Sequence, residues 1–397
     1  MALLGLGPHY RHLWSANLLS ALGGGLSGAA MPLLAASLTD SPGLVSGVAV
    51  AGELPWFAFG LVAGAVVDRL DRRRLVLLVA LIRAGITALL IAAIVTDRAS
   101  IPLIYLIAAA GSLIGIFGGT ARTTLTPLVV PREDLGRANS RLASSGDAAA
   151  NVVGPPLGST AFALLAAAPF GIGMVLSLLS AGFIGRLPAP PARTPDRRSG
   201  GMRQDIAEGL RWLAGHRRLR TIVLLTAVLA ATDSAWFSLL VLYARDVLGL
   251  SSGAYGWIVG GAAAGGLVGS LAATRLSARF GVARCLIWAL LVAAAGQLLL
   301  GFTADVTATV LSLVSSSLVF GVWNVLTTTL IQTLTPDHLL GRVVSAERTV
   351  VMGASPLGAL LGGIAATGLG LHAPFLLGAP LLLGAVALGR RAVGGSG

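Results

Sequence analysis

The sequence has little charge and almost no cysteine. Only 11% of its 397 residues are charged, against about 25% in a soluble domain, and none of them is lysine. Cys285 is the single cysteine, which excludes an internal disulfide and a cysteine-based metal cluster. The hydrophobic share is 55%, and the mean hydropathy is +0.86. This composition predicts an integral membrane protein.

Motifs for catalysis, nucleotide binding and nucleic-acid binding are also missing. The sequence has no Gly-x-x-x-x-Gly-Lys phosphate loop, which excludes an ATP-driven pump on this chain. Its five histidines are scattered, without metal-ligand spacing. The net charge of +12 comes from arginines in short gaps between apolar runs. This pattern is typical of the loops that orient a protein in the membrane, not of a nucleic-acid-binding surface. We therefore expect no enzymatic activity, no cofactor, no metal and no nucleic-acid partner.

The apolar runs predict twelve transmembrane spans, since a spanning helix needs about 20 apolar residues. The predicted spans 1 to 12 are 13–38, 43–67, 75–96, 101–126, 138–167, 169–187, 219–245, 252–274, 282–303, 304–334, 342–369 and 372–390. If the N-terminus lies inside, the outer loops hold only Arg98 and Arg245. This asymmetry predicts a multi-pass protein of the inner (plasma) membrane with both termini in the cytoplasm.

The chain repeats itself once. The segment "PREDLGR" at 131–137 returns as "PDHLLGR" at 336–342, and "PLGS" at 156–159 returns as "PLGA" at 356–359. We therefore predict two six-span bundles, at 1–187 and 219–397. The segment 188–218 is then a cytoplasmic linker, and its residues 202–213 have one apolar helical face suited to the membrane surface.

A charged hairpin follows span 2. Six of the seven residues 68–74 are charged, inside the segment "GAVVDRLDRRR" at 64–74. This segment resembles the Gly-x-x-x-Asp-Arg motif of the major facilitator superfamily. Together with "DIAEGLRWL" at 205–213 and "PDHLLGRVVSAERTVV" at 336–351, it resembles the drug–proton antiporter branch that includes macrolide efflux proteins and the enterobactin exporter. The resemblance implies an all-α fold of twelve helices in two pseudo-symmetric bundles. One departure is Gly24, which stands where the branch often has an acid.

The resemblance also implies a role for the hairpin. In the family, the acid at Asp68 docks against the start of span 11 when the inner side is closed. A helix N-terminus favours an anion, and Arg342 adds a positive charge there, while Arg122 is a second candidate partner. The alternative is a solvated loop that only sets topology. The proposed conformational latch comprises Gly64, Asp68, Arg69, Arg72, Arg73, Arg122 and Arg342.

Acids inside the spans are the candidates for proton coupling. A charge at mid-membrane costs at least about 2.5–3.5 kcal/mol, so each such residue is a functional candidate. Asp233 is favoured, and Glu53 and Asp147 follow. The alternative for Asp233 is a carboxyl group capped by a neighbouring hydroxyl, from Ser234 or Thr232. The alternative for Glu53 is an ion pair with Arg83, a residue that we expect to be structural.

Polar and aromatic residues within the spans are candidates for a substrate cavity. In span 5, Ser140, Ser144, Asp147 and Asn151 share one helical face, which either lines a cavity or packs closely against another helix. The other members of this set are Trp236, Phe237, Asn17, Asn324 and Gln297.

These features predict a secondary active exporter of small lipophilic or cationic compounds that works by proton antiport and alternating access. Its expected partners are a small-molecule substrate, protons and the lipid bilayer, and we expect a monomer. Two alternatives stay open. One is a dedicated siderophore or secondary-metabolite exporter, and the other is a lipid flippase or membrane sensor on the same scaffold.

Overall fold

The computed structural model describes residues 6–60, 62–67, 70–123, 125–187 and 202–393. In these ranges the chain is helical and has no strand. The helices before the linker are α1 Gly7–Leu38, α2 Pro42–Phe59, α3 Val62–Val67, α4 Arg72–Val95, α5 Ile101–Thr123, α6 Thr126–Val129, α7 Leu135–Asp147, α8 Gly154–Leu164 and α9 Ala168–Ile184. The later helices are α10 Met202–Gly215, α11 Arg217–Phe237, α12 Leu240–Leu242, α13 Ser252–Phe280, α14 Val282–Phe302, α15 Val306–Leu334, α16 Asp337–Leu369 and α17 Ala373–Val393.

Most helices lie where the apolar runs predicted them. Ten helical segments of the described residues are long and apolar enough to cross a membrane, and the apolar helix α9 is shorter. The prediction of an all-α integral membrane protein is confirmed.

Three predicted spans are interrupted in the structure. Span 7, predicted over 219–245, is divided into α11, α12 and a π-helix at Tyr243–Val247. Span 2 was predicted as continuous over 43–67, but α2 ends at Phe59 and α3 begins at Val62. Span 5 is divided into α7, a π-helix at Ala148–Val153, and α8. Pro155 and Pro156 lie in the first turn of α8, one residue after the end of the π-helix, and neither has an N–H to donate to the preceding turn. The missing donors give a physical reason for the change of helical pitch at this point.

The described residues form two compact units, each of which is described by itself. The first comprises residues from 1–38, 54–198 and 251–260, and the second comprises residues from 39–53, 199–250 and 261–397. In the first unit, Gly256 of α13 lies against Pro155 and Ser159 of α8. In the second unit, Gly363 of α16 lies against Ser46 of α2, and Gly43 donates its N–H to Thr367 Oγ1 at 3.1 Å.

Small residues bring helix backbones together in the first unit. Gly154 of α8 lies against Gly25 of α1, and Gly158 lies against Leu26, with no room for a Cβ atom at either glycine of α8. Helices that approach this closely gain packing contacts that larger side chains would prevent. The glycines of span 5 therefore hold α8 against α1.

The second unit has an apolar core around Trp323, formed by residues of α11, α13, α14, α15 and α17. The linker helix α10 also packs on this unit. Leu213 of α10 is buried in a cluster with Leu219 of α11 and Val343 of α16. On the same helix, Glu208 forms an ion pair with Arg342 of α16, with 2.7 Å between Oε1 and Nη1.

The close packing of α16 against α11 can be tested at a glycine of α16. At Gly358, an added Cβ would overlap the backbone of Ala231 in α11, whereas at Gly368 it would meet open space. We expect Gly358→Ala to destabilise the protein by about 1–3 kcal/mol, as overpacked cores do. Gly368→Ala is the matched control and should change stability by less than about 1 kcal/mol. Thermal unfolding in detergent measures both variants, and equal midpoints would contradict the packing described here.

Candidate functional site

Two acids that were predicted separately lie together in the second unit. Asp233 of α11 accepts a hydrogen bond from Ser316 of α15, with 3.5 Å between Oγ and Oδ1. Glu53 of α2 is near enough for its charge to act on Asp233. Two carboxylates at one place in a low-dielectric environment disfavour each other's ionised form. The pair is therefore a centre where a cation, including a proton, is favoured.

Glu53 lies beside two serine hydroxyl groups. Its carboxyl group interacts with the hydroxyls of Ser355 on α16 and Ser234 on α11. Its Oε2 atom is buried and has no hydrogen-bond partner. Burial of a carboxylate oxygen without a partner is costly, which marks Oε2 as an atom that a bound proton would stabilise.

The hydroxyl cap that was the alternative for Asp233 is not found at either predicted residue. Thr232 donates its hydroxyl to the backbone of its own helix, at Val228 O (2.9 Å) and Leu229 O (3.1 Å). Ser234 interacts with Glu53. The hydroxyl that reaches Asp233 comes from Ser316 on a different helix, which the sequence did not indicate.

The two aromatic candidates of α11 differ in exposure. Trp236 is 4% exposed, and its ring stacks on Phe375 of α17 with 5.7 Å between centroids. Phe237 is 44% exposed and forms a T-shaped pair with Trp236. Phe237 also lies one helical turn from Asp233, on a neighbouring part of the same face. Of the two rings, Phe237 is therefore the accessible one, and Trp236 packs against it.

In the first unit, span 5 presents an exposed polar face. Ser140, Ser144 and Asp147 of α7 are exposed, and so is Asn151 in the π-helix. A carboxylate that faces lipid hydrocarbon would cost several kcal/mol (about 2.5–3.5 on insertion scales). We therefore infer that this face is turned away from lipid, which favours cavity lining over close packing. A π-helical turn in such a place is frequent at functional sites.

The remaining cavity candidates lie in three different surroundings. Asn17 donates its Nδ2 to Leu142 O at 2.9 Å and so joins α1 to α7. Gln297 of α14 is 6% exposed, and its Oε1 has no hydrogen-bond partner. Asn324 of α15 is exposed. Asn17 therefore has a structural role between two helices. Gln297 is buried, and its Oε1 atom lacks a hydrogen-bond partner.

The guanidinium groups of two arginines of the first unit lie beside glycines of α5. Arg83 of α4 lies against Gly115, and Arg122, which belongs to α5 itself, lies beside Gly118. The two guanidinium groups interact electrostatically, and the Nε of Arg122 is buried without an acceptor. Glu53 interacts with two serine hydroxyls and acts on Asp233 through its charge.

The predicted latch falls partly outside the described residues. Asp68 and Arg69 lie outside them, and Gly64, Arg72 and Arg73 are described only as members of α3 and α4. Arg342 was predicted at the start of span 11, but α16 begins earlier, at Asp337, and Arg342 pairs with Glu208 of the linker helix. The link from α16 to the linker helix was not evident from the sequence.

Acids inside membrane-spanning helices are typical of helical membrane transporters, where they mark substrate and ion pathways. The chain belongs to the transmembrane secretion effector family of the major facilitator superfamily, which it matches over residues 7–393. It is therefore a multi-pass transporter of small molecules and not an enzyme. The superfamily membership and the fold class predicted from the sequence are confirmed.

Known proteins similar to the chain include two efflux pumps. "Multidrug efflux pump Tap" of Mycobacterium tuberculosis (strain ATCC 25618 / H37Rv) is 30% identical over 394 residues, covering 93% of this chain and 90% of that protein. The pump of the same name from Mycolicibacterium fortuitum is 29% identical, covering 94% and 93%. Among solved structures, a bacterial homologue of the iron transporter ferroportin in its inward-facing state has a TM-score of 0.77 at 16% identity, covering 97% and 98%. This last similarity concerns the fold alone.

Proposed function

We propose that the chain is a secondary active exporter that expels small lipophilic or cationic compounds in exchange for protons. The observation that carries the proposal is the pair of intramembrane acids, Asp233 and Glu53, beside serine hydroxyls in the second unit. The two efflux-pump relatives support the direction of transport.

The acid pair can bind a proton and a cationic substrate in turn. An ionised carboxylate in a low-dielectric environment is costly unless it is paired, so it gains from binding either a proton or a cationic guest. When the guest leaves, a proton can replace it, and when the proton leaves, the site is ready for another guest. Such exchange at one site is sufficient for antiport, provided that the site opens to each side in turn.

The residues near the acids favour a flat or apolar cation as the substrate. Phe237 offers an exposed ring one turn from Asp233, and a cation over an aromatic face gains about 0.5–2 kcal/mol. The exposed polar face with Asp147 and Asn151 in the first unit is a second candidate lining. An apolar lining with few polar groups accepts many compounds, as the name of the Tap pumps indicates for those relatives.

The arginine distribution supports placing the protein in the plasma membrane with both termini in the cytoplasm. We propose that it works as a monomer within the bilayer. The charged hairpin around Asp68 is the proposed latch between conformational states, and Arg122 and Arg342 are its proposed partners.

An efflux assay tests the proposed function. The chain is expressed in a bacterial strain that lacks its own pumps, and the cells are loaded with a panel of fluorescent cations, neutral lipophilic compounds and siderophores. We expect faster efflux of several cationic compounds than in cells with an empty vector, and loss of that difference with a proton uncoupler. Efflux of one siderophore alone would favour the dedicated exporter. Efflux that persists with the uncoupler would contradict proton coupling.

A further inference from the structure

Hydroxyl groups form a row along one face of α15. Thr309, Ser312 and Ser316 are three and four residues apart, so they lie on the same side of the helix. Thr309 and Ser312 are buried, and Ser316 reaches Asp233. One end of the row is therefore at the intramembrane acid.

The other end of the row approaches an exposed part of the chain. Tyr243 donates its hydroxyl to Thr303 O at 2.8 Å and interacts with the hydroxyl of Thr309. Residues 304–307, at the start of α15, are exposed. Asp233 contacts Ser316, which lies about 15 Å along the helix from Val306 at a rise of 1.5 Å per residue. At that distance, a proton needs intermediate groups to reach the acid.

One hydroxyl of the row, Ser312 Oγ, is buried without a hydrogen-bond partner. The same is true of Gln297 Oε1 on α14, which lies against Gly378 of α17. Both residues are only 6% exposed. Ser312 lies against Gly296, the residue before Gln297. Native proteins seldom leave such atoms unpaired, and an internal water is the usual partner. Thr309 differs, because it donates to Asp305 O at 2.8 Å in its own helix.

We propose that this row, with water at Ser312 and Gln297, carries protons between the exposed end of α15 and Asp233. The inference rests on the proposed function, because it supplies the route for the exchanged proton. A hydroxyl both donates and accepts, so each group can accept a proton on its oxygen as it passes its own proton on. The last transfer converts the Asp233 carboxylate into a carboxylic acid. Glu53 is the charged group that acts on the same acid.

The test separates proton movement from substrate movement. Purified protein is placed in liposomes that contain a pH-sensitive dye, with ethidium as the cationic probe. Proton flux driven by an ethidium gradient is compared with ethidium counterflow, which needs no net proton transfer. We expect Ser312→Ala to slow the proton flux about tenfold, the effect of losing one buried hydrogen-bonding group, with counterflow unchanged. Ser312→Thr retains the hydroxyl and should restore most of the flux.

A matched control lies on the same helix. Thr329 donates its hydroxyl to Val325 O and is exposed, so Thr329→Val should leave both rates unchanged. Equal proton flux in Ser312→Ala and the unmodified protein would overturn the proposed route and leave the proposed function intact. Absence of ethidium-driven proton flux in the unmodified protein would overturn the proposed function itself. If Ser312→Ala lacks counterflow because it folds poorly, Thr309→Val decides the question by the same comparison of the two rates.

Discussion

Asp233→Asn is expected to reduce uphill export driven by a pH gradient in proteoliposomes to a small residual rate. The amide retains the shape of the side chain and can still accept the hydrogen bond from Ser316. It cannot bind and release a proton, nor can it pair with a cationic guest. The loss should be at least about 100-fold, the lower end of what a positioned proton-transfer group contributes. Exchange of a neutral substrate down its own gradient should survive, because it requires no proton.

Two further variants make this result interpretable. Asp233→Glu keeps the carboxyl group and should retain part of the activity, with a changed pH optimum. Asp97→Asn makes the same chemical change in an exposed turn, where the positive φ of 54° also suits asparagine. It should transport as the unmodified protein does. Uphill pumping by Asp233→Asn with an unchanged pH profile would assign Asp233 a structural role, and Asp147 would then be tested beside Glu53.

The positions of the helices could be predicted from the sequence because the bilayer imposes a simple rule. A spanning helix must be apolar over about 20 residues, so α4 and α14 begin and end within a few residues of their predicted bounds. The interruptions could not be predicted in the same way. The π-helix at Ala148–Val153 depends on how a chain with two prolines restores its hydrogen bonds, and hydropathy contains no information on this.

The acids were identifiable as candidates because charge inside an apolar run is rare. Their association was not predictable, because Glu53 and Asp233 are far apart in the sequence and only the packing of α2 with the second unit brings them together. The serines were missed for a related reason. A serine in a membrane helix usually donates to its own backbone, so nothing in the sequence distinguishes Ser316, which reaches another helix, from Ser270, which does not.

The second large effect is expected at Glu53. Its carboxyl group interacts with Ser234 and Ser355, and its Oε2 is buried without a partner. In Glu53→Gln, the amide oxygen can still accept from both hydroxyls, but the side chain no longer carries a negative charge or a transferable proton. We expect pH-driven export to fall at least about tenfold, because one of the two acids that share the site is gone. Binding of ethidium should change less, since Asp233 remains to pair with it.

Glu53→Ala and the double variant distinguish a role of Glu53 in proton coupling from a structural role. Glu53→Ala removes both the charge and the acceptor for the two serines. If Glu53 has only a structural role, export should be normal in Glu53→Gln and impaired only in Glu53→Ala. If the two acids work as one coupling centre, Glu53→Gln combined with Asp233→Asn should export no worse than Asp233→Asn alone, because residues that act as a unit have non-additive effects. Initial rates of ethidium export in proteoliposomes, at equal protein density and a fixed pH gradient, measure all four proteins. Losses that multiply in the double variant would mean that Glu53 and Asp233 act independently, and the acid pair would then not be a single site.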